Sequence, residues 1–95
     1  MEKAIALLEV QGLTAAIEGL DAMLKAADVR LIHIERRLGG RLVTMVVDGT
    51  VADVQAAAEA GKEAAAHIGK VKLSEVLPRP HPEVKKFLYT NVKED

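Results

Sequence analysis

The chain has 95 residues, a net charge of −1, and 49% hydrophobic but only 2% aromatic residues. One domain of this size buries roughly 64% of the surface of its unfolded chain, enough for one small core of Ala, Val, Leu and Ile but not for a deep private active site. The near-neutral balance and the scarcity of aromatics exclude the usual nucleic-acid binder, which needs a basic excess for phosphates and rings on which bases stack.

In chain order, residues 3–10 (KAIALLEV) predict a short apolar strand, which Gly12 ends. Leu13, Ile17, Leu20, Leu24 and Ala27 follow at steps of four and three, one apolar stripe along a helix, with Glu18, Asp21 and Lys25 off it. Residues 29–37 (VRLIHIERR) predict a second strand and 42–47 (LVTMVV) a third, joined as a hairpin through Leu38-Gly39-Gly40-Arg41. Asp48-Gly49 reads as a turn. Thr50 is placed as an N-cap, with Asp53 at the reciprocal capping-box position. The alanine-rich helix 51–67 carries the stripe Val51, Val54, Ala58, Gly61, Ala65, Ile68, and Gly69 reads as its C-cap. Residues 70–77 predict a fourth strand. Pro78-Arg79-Pro80-His81-Pro82 suits neither helix nor central strand, and a helical turn at 83–88 and a charged tail at 89–95 close the chain. The order predicts an α+β, ferredoxin-like βαββαβ fold in one domain, 1–95, with its core at about 4–88. Its four-stranded antiparallel sheet has two helices on one face and a short C-terminal helix.

The strands do not alternate cleanly between apolar and polar. Ile5 and Leu7 oppose Leu8 and Val10, Val29 and Leu31 oppose Ile32 and Ile34, and Val43, Met45 and Val47 oppose Leu42 and Val46. Two helices cover one face only. The other must be covered by Phe87 and Leu88 folding back, or by a neighbouring subunit, because so large an exposed apolar patch is unusual for a monomer.

Other chemistry finds little support. Glu9 and Glu18 form no evident acid/base pair. His33, His67 and His81 lie on different elements without metal-ligand spacing, so no metal or cofactor is expected. Gly39-Gly40 precedes a strand, not a helix, and is no phosphate loop. The absence of Cys excludes disulfides and thiol catalysis and fits a reducing compartment. No apolar run reaches the roughly 20 residues of a membrane span. Met1-Glu2-Lys3 leads into a strand pattern without a signal peptide, so the cytoplasm is the expected location and no membrane partner is expected.

Four stretches, in order and at family spacing, identify a resemblance: Leu8 to Glu18, Asp21 to Ala27, Val54 to Gly69 with Ala56-Ala57-Ala58 and Gly61, and Pro78-Arg79-Pro80-His81. Over about residues 4–88 the sequence resembles the bacterial microcompartment shell proteins of the single-domain, hexamer-forming type. The resemblance implies a non-catalytic tile. Six copies form a flat ring, and rings pack edge to edge with one another and with other shell proteins into the facets of a cytoplasmic shell. The shell encloses enzymes, and a sixfold pore passes small metabolites.

Residue by residue, Lys25 matches the family's edge lysine. Arg79 matches the arginine that reaches across that edge, and its two flanking prolines hold it on a stiff segment. His81 follows the same pattern. Leu38, Gly39, Gly40 and Arg41, with Arg37, match the pore loop, although the family's Lys-Ile-Gly-Ser-Gly-like run is here Arg36-Arg37-Leu38-Gly39-Gly40-Arg41, about one residue longer and without the serine. Arginines at the axis would favour anions, unless they flank the loop and pair with Glu35 or another carboxylate. The alternatives are a ferredoxin-like ligand-sensing or regulatory module and, less suited, an acylphosphatase-type enzyme, for which the only asparagine is Asn91 in the tail.

Overall fold

Eight short segments build the fold in the computed structural model, which describes residues 3–89; the predicted tail, beyond Tyr89, and Asn91 lie outside the described residues. They are β1 (Ala4–Gln11), α1 (Leu13–Ala26), β2 (Arg30–Arg37), a 3₁₀ turn (Leu38–Gly40), β3 (Leu42–Gly49), α2 (Val51–Ala66), β4 (Val71–Leu77) and α3 (Pro82–Leu88). The sheet order is β2-β3-β1-β4 and every pairing is antiparallel. This is the expected ferredoxin-like arrangement. β3 is two residues longer than expected. Asp48 and Gly49 continue its ladder opposite Ile5 and Ala4 instead of turning, so the turn begins only at Thr50.

Both α1 and α2 lie over one sheet face and meet it mostly through alanines. Ala6, Leu8, Val10, Val43, Met45 and Val47 rise from the sheet against Ala15, Ala16 and Met23 of α1 and Val54, Ala57, Ala58 and Ala65 of α2. The helices cross at glycines. A Cβ on Gly61 would stand 2.5 Å from Met23 Cγ and 3.1 Å from the Gly19 carbonyl, so a side chain there would have to push the helices apart.

That close approach reverses the expected orientation of α1. Its buried residues are Ala15, Ala16, Gly19 and Met23, whereas Leu13, Ile17 and Leu24 are exposed, Ile17 by 58%. Only Leu20 and Ala27 of the predicted stripe pack against the core. The periodicity followed the large apolar residues, but the space beneath α1 admits small ones. In α2 the central stripe residues are buried as expected, while its end members Val51 and Ile68 are exposed. Thr50 caps α2: its hydroxyl accepts from Asp53 N at 3.1 Å and donates to Asp53 Oδ2 at 2.9 Å. Gly69 is not a left-handed cap. The helix ends at His67 in right-handed geometry, and a Cβ at Gly69 would collide with the Gln11 carbonyl, so the glycine answers to packing.

On the other sheet face Ile5, Ile32 and Val46 form a second, smaller cluster closed by Leu88, with Leu7 and Tyr89 beside it. The C-terminal segment therefore supplies part of the cover. Leu88 is buried, but Phe87 is 69% exposed, its ring 5.9 Å from that of His33. The β2–β3 register slips between Leu31 and His33. Leu31 and Ile34 consequently oppose Val47 and Met45 and share the helix side, correcting the expectation that they face opposite ways.

Candidate functional site

The β2–β3 connection is the most unusual backbone in the described chain. Leu38, Gly39 and Gly40 follow one another in the left-handed region, at φ 55°, 67° and 92°. A leucine there costs roughly 1–2 kcal/mol, which the two glycines avoid. The loop is held at both ends. Arg41 N and Nε both donate to the Leu38 carbonyl, at 3.3 and 3.2 Å, and Gly12 N donates to the Arg41 carbonyl at 3.0 Å, tying the loop to the start of α1. Leu38, Gly39 and Arg41 lie exposed on this loop, and Gly40 is half-buried beside Leu13.

Arg37 is brought elsewhere. Its Nη2 donates to Glu9 Oε2 at 3.0 Å on the sheet face away from α1 and α2, and the same carboxylate oxygen accepts from Thr44 Oγ1 at 2.9 Å. Of the two readings left open for the loop arginines, pairing with a carboxylate holds for Arg37, and the carboxylate is Glu9, not Glu35. Glu35 instead lies 3.1 Å from His33 Nε2.

The three expected edge residues sit on two elements. Lys25, in the last turn of α1, reaches back one turn to Asp21 at 2.8 Å; this hydrogen bond and the charge of Asp21 raise its pKa. Arg79 is exposed on the β4–α3 connection, ahead of the buried Pro80. His81 has a local duty: its Nδ1 accepts from Glu83 N at 3.0 Å and caps α3, with Pro82 in the first turn. No hydrogen bond or ion pair joins Lys25 to Arg79 or His81 among the described residues.

One polar site is absent from the expectations. Asp48 is fully buried, with Arg30 Nη2 at 3.2 Å and the Tyr89 hydroxyl donating to the same oxygen, Oδ2. The Arg30 guanidinium also sits 5.8 Å from the centre of the Tyr89 ring. Burial, and then the bond to Asp48, push the Tyr89 hydroxyl well above the ordinary tyrosine range. Asp48 Oδ1 has no partner among the described residues. The Asp-Gly pair hid this site, because it reads as a surface turn. Among the described residues no three His, Asp or Glu side chains gather as a metal site, and no helix is long and apolar enough to cross a membrane.

The chain is similar to known proteins over most of its length. The BMC domain family model matches residues 4–80. The bacterial microcompartment shell protein PduA of Citrobacter freundii is 48% identical over 87 residues, 92% of each chain. The shell protein EutM of Escherichia coli K12 is 41% identical over 93 residues, 98% of this chain and 95% of that one. The crystal structure of a microcompartments protein from Desulfitobacterium hafniense DCB superposes with a TM-score of 0.82 at 35% identity, over all of this chain and 51% of its own, so this chain spans about half of it. With its sheet order, its helix-side core and its match over residues 4–80, the chain belongs to the BMC domain family of bacterial microcompartment shell proteins.

Proposed function

We propose that six copies of this chain close into a flat ring, and that the rings tile edge to edge, with one another and with other shell proteins, into the facets of a shell around enzymes in the cytoplasm. The chain does no chemistry of its own. The observation that carries this reading is the apolar surface left uncovered on α1. Leu13, Ile17 and Leu24 are exposed along α1, with Leu13 beside the Leu38–Arg41 loop, where a neighbouring copy would cover them. The loop then faces the sixfold axis. Leu38, Gly39, Gly40 and Arg41 line a pore for small metabolites, with Arg37 set back by its pair with Glu9. The absence of Cβ atoms on Gly39 and Gly40 allows six loops to converge. Lys25, Arg79 and His81 form the edge between rings, His81 by capping and so fixing the segment that carries Arg79.

The test is mass and assembly in solution. Light scattering should give about six times the 10.2 kDa of one chain, and microscopy should show sheets or tubes as concentration rises. Arg79→Ala should abolish the sheets and leave the rings. A chain that stays monomeric at high concentration overturns the reading, and a dimer or trimer that binds a small ligand would favour a ligand-sensing module instead.

A further inference from the structure

The buried carboxylate of Asp48 belongs neither to the loop nor to the edge between rings. Its Oδ2 accepts from two sides, from Arg30 Nη2 at 3.2 Å and from the Tyr89 hydroxyl. Arg30 lies on β2, an outer strand of the sheet, and its side chain is 43% exposed. Tyr89 directly follows α3. One oxygen thus ties an edge strand to the C-terminal segment. A second contact joins the same two elements, for the His33 ring of β2 lies 5.9 Å from that of Phe87. The bulge between Leu31 and His33 falls between the two contacts, at the point where β2 bends most readily.

The strap α3 meets the sheet over a small area. Of its seven residues only Leu88 is buried, over Ile5, Ile32 and Val46. No backbone hydrogen bond joins α3 to the sheet among the described residues. The closed position also carries a cost, because Asp48 Oδ1 is buried without a partner among the described residues, and lifting α3 would admit water to it. A small gain set against a real cost is what a strap needs if a distant contact is to bias it. Such a contact is due at β2. Ile34, on the helix side of β2, is 45% exposed, and Leu13 of α1 borders a hollow with Arg36 of β2. A copy that covers Leu13 and Ile17 therefore comes up against β2.

We propose that closure of the ring and closure of α3 are coupled through Arg30. A neighbouring copy packed along β2 holds Arg30 on Asp48, Asp48 holds Tyr89, and α3 stays down over the second sheet face. In a subunit outside a ring β2 is an unsupported edge, water competes with Arg30 and Tyr89 for the carboxylate, and α3 lifts more often. The proposal rests on the reading that copies of this chain form a ring. Coupling of this kind is reciprocal, so cutting the link at Tyr89 weakens the ring by the factor that the ring lends to α3.

The experiment measures hydrogen exchange of the α3 amides in native rings and in separate subunits. Ile17→Glu supplies the subunits, since it puts a charge on a side chain that is 58% exposed and lies in neither core. Should that variant misfold or still form rings, dilution of the native protein supplies them. α3 should exchange about tenfold faster in subunits than in rings, while β1 and β3 keep their protection. With Tyr89→Phe added, α3 should exchange alike in the two forms, and rings should half-dissociate at about tenfold higher protein concentration. Arg30→Gln should do the same. Equal exchange of native α3 in rings and subunits overturns the coupling and leaves the ring standing. A Tyr89→Phe protein that keeps the native ratio shows that the neighbour shields α3 directly, and overturns the assignment to Arg30 and Asp48. A native chain that forms no ring at any concentration overturns the ring reading, and this proposal with it.

Discussion

The two faces of the sheet solve the same burial problem in different ways. On the helix face, Met23, Met45, Val54 and a set of alanines fill the space, and Gly19 and Gly61 let α1 and α2 approach until nothing larger fits. On the opposite face, the end of the short helix α3 brings down Leu88 and the following Tyr89, and the apolar cluster shares its space with the buried Asp48 and, farther along, the Arg37–Glu9 pair. The first face is an apolar interior whose stability comes from packing. The second is held at a few points by polar contacts that must stay satisfied, because a buried carboxylate without partners is costly. The contrast is one of failure modes: a lost methylene should weaken the helix face, and a lost partner atom the other.

The largest effect should come from the helix face. Met23→Ala removes a fully buried side chain at the helix crossing and should cost about 2–5 kcal/mol in urea unfolding. Leu88→Ala on the other face should fall near the low end, about 2 kcal/mol, because the neighbouring Phe87 is exposed and water can reach the gap. If Leu88→Ala costs more than Met23→Ala, the ranking of the faces is wrong.

Tyr89→Phe should come next, at about 1–3 kcal/mol, since it removes a hydroxyl donor from a buried carboxylate oxygen that Arg30 also reaches. Hydrogen exchange should quicken in α3 while β1 and β3 keep their protection. The same contact sets a pH dependence. Tyr89 has a folded-state pKa raised above the ordinary 10.0, so its contribution is complete below pH 10 and is lost as pH rises beyond it. Native protein should lose stability above pH 10 faster than Tyr89→Phe; parallel curves would show that the hydroxyl is not held by Asp48.

Thr50→Ala is expected to cost about 1 kcal/mol, the loss of one N-cap, with no change in the exchange of α3. It serves as a control: a local defect on the helix side should leave the second face untouched.

These contrasts bear on what could be read in advance. The order of elements was legible because apolar runs of strand length alternate with two longer helical stretches, and because Thr50 and Asp53 announce the second helix in their own chemistry. The loop at Leu38–Arg41 was legible through its paired glycines. The orientation of α1 was not, because its buried side is marked by residues that carry little hydrophobic signal, Ala15, Ala16 and Gly19, while its large residues face outward. The bulge at Ile32, and with it the facing of Leu31 and Ile34, depends on pairing with β3 and has no mark in β2 alone. The Arg37–Glu9 and Asp48–Tyr89 contacts join residues 28 and 41 apart, so both had to wait for the register of the sheet.

The smallest effect on the folded chain, and a large one on assembly, should come from Lys25. It lies on neither core, and its ion pair with Asp21 is exposed and confined to one helix, a kind of contact that adds little to stability. Lys25→Ala should therefore leave the unfolding midpoint and the ring unchanged while extended sheets disappear. Asp21→Asn tests the same lysine from the other side. In the folded chain Asp21 holds the ammonium along α1, so in the proposed assembly Lys25 reaches a neighbouring ring only once that contact breaks. Releasing it should let sheets form at lower protein concentration, as light scattering would record. If Asp21→Asn abolishes sheets as Lys25→Ala does, the edge depends on the pair and not on the lysine, and Asp21 belongs to the contact surface in its own right.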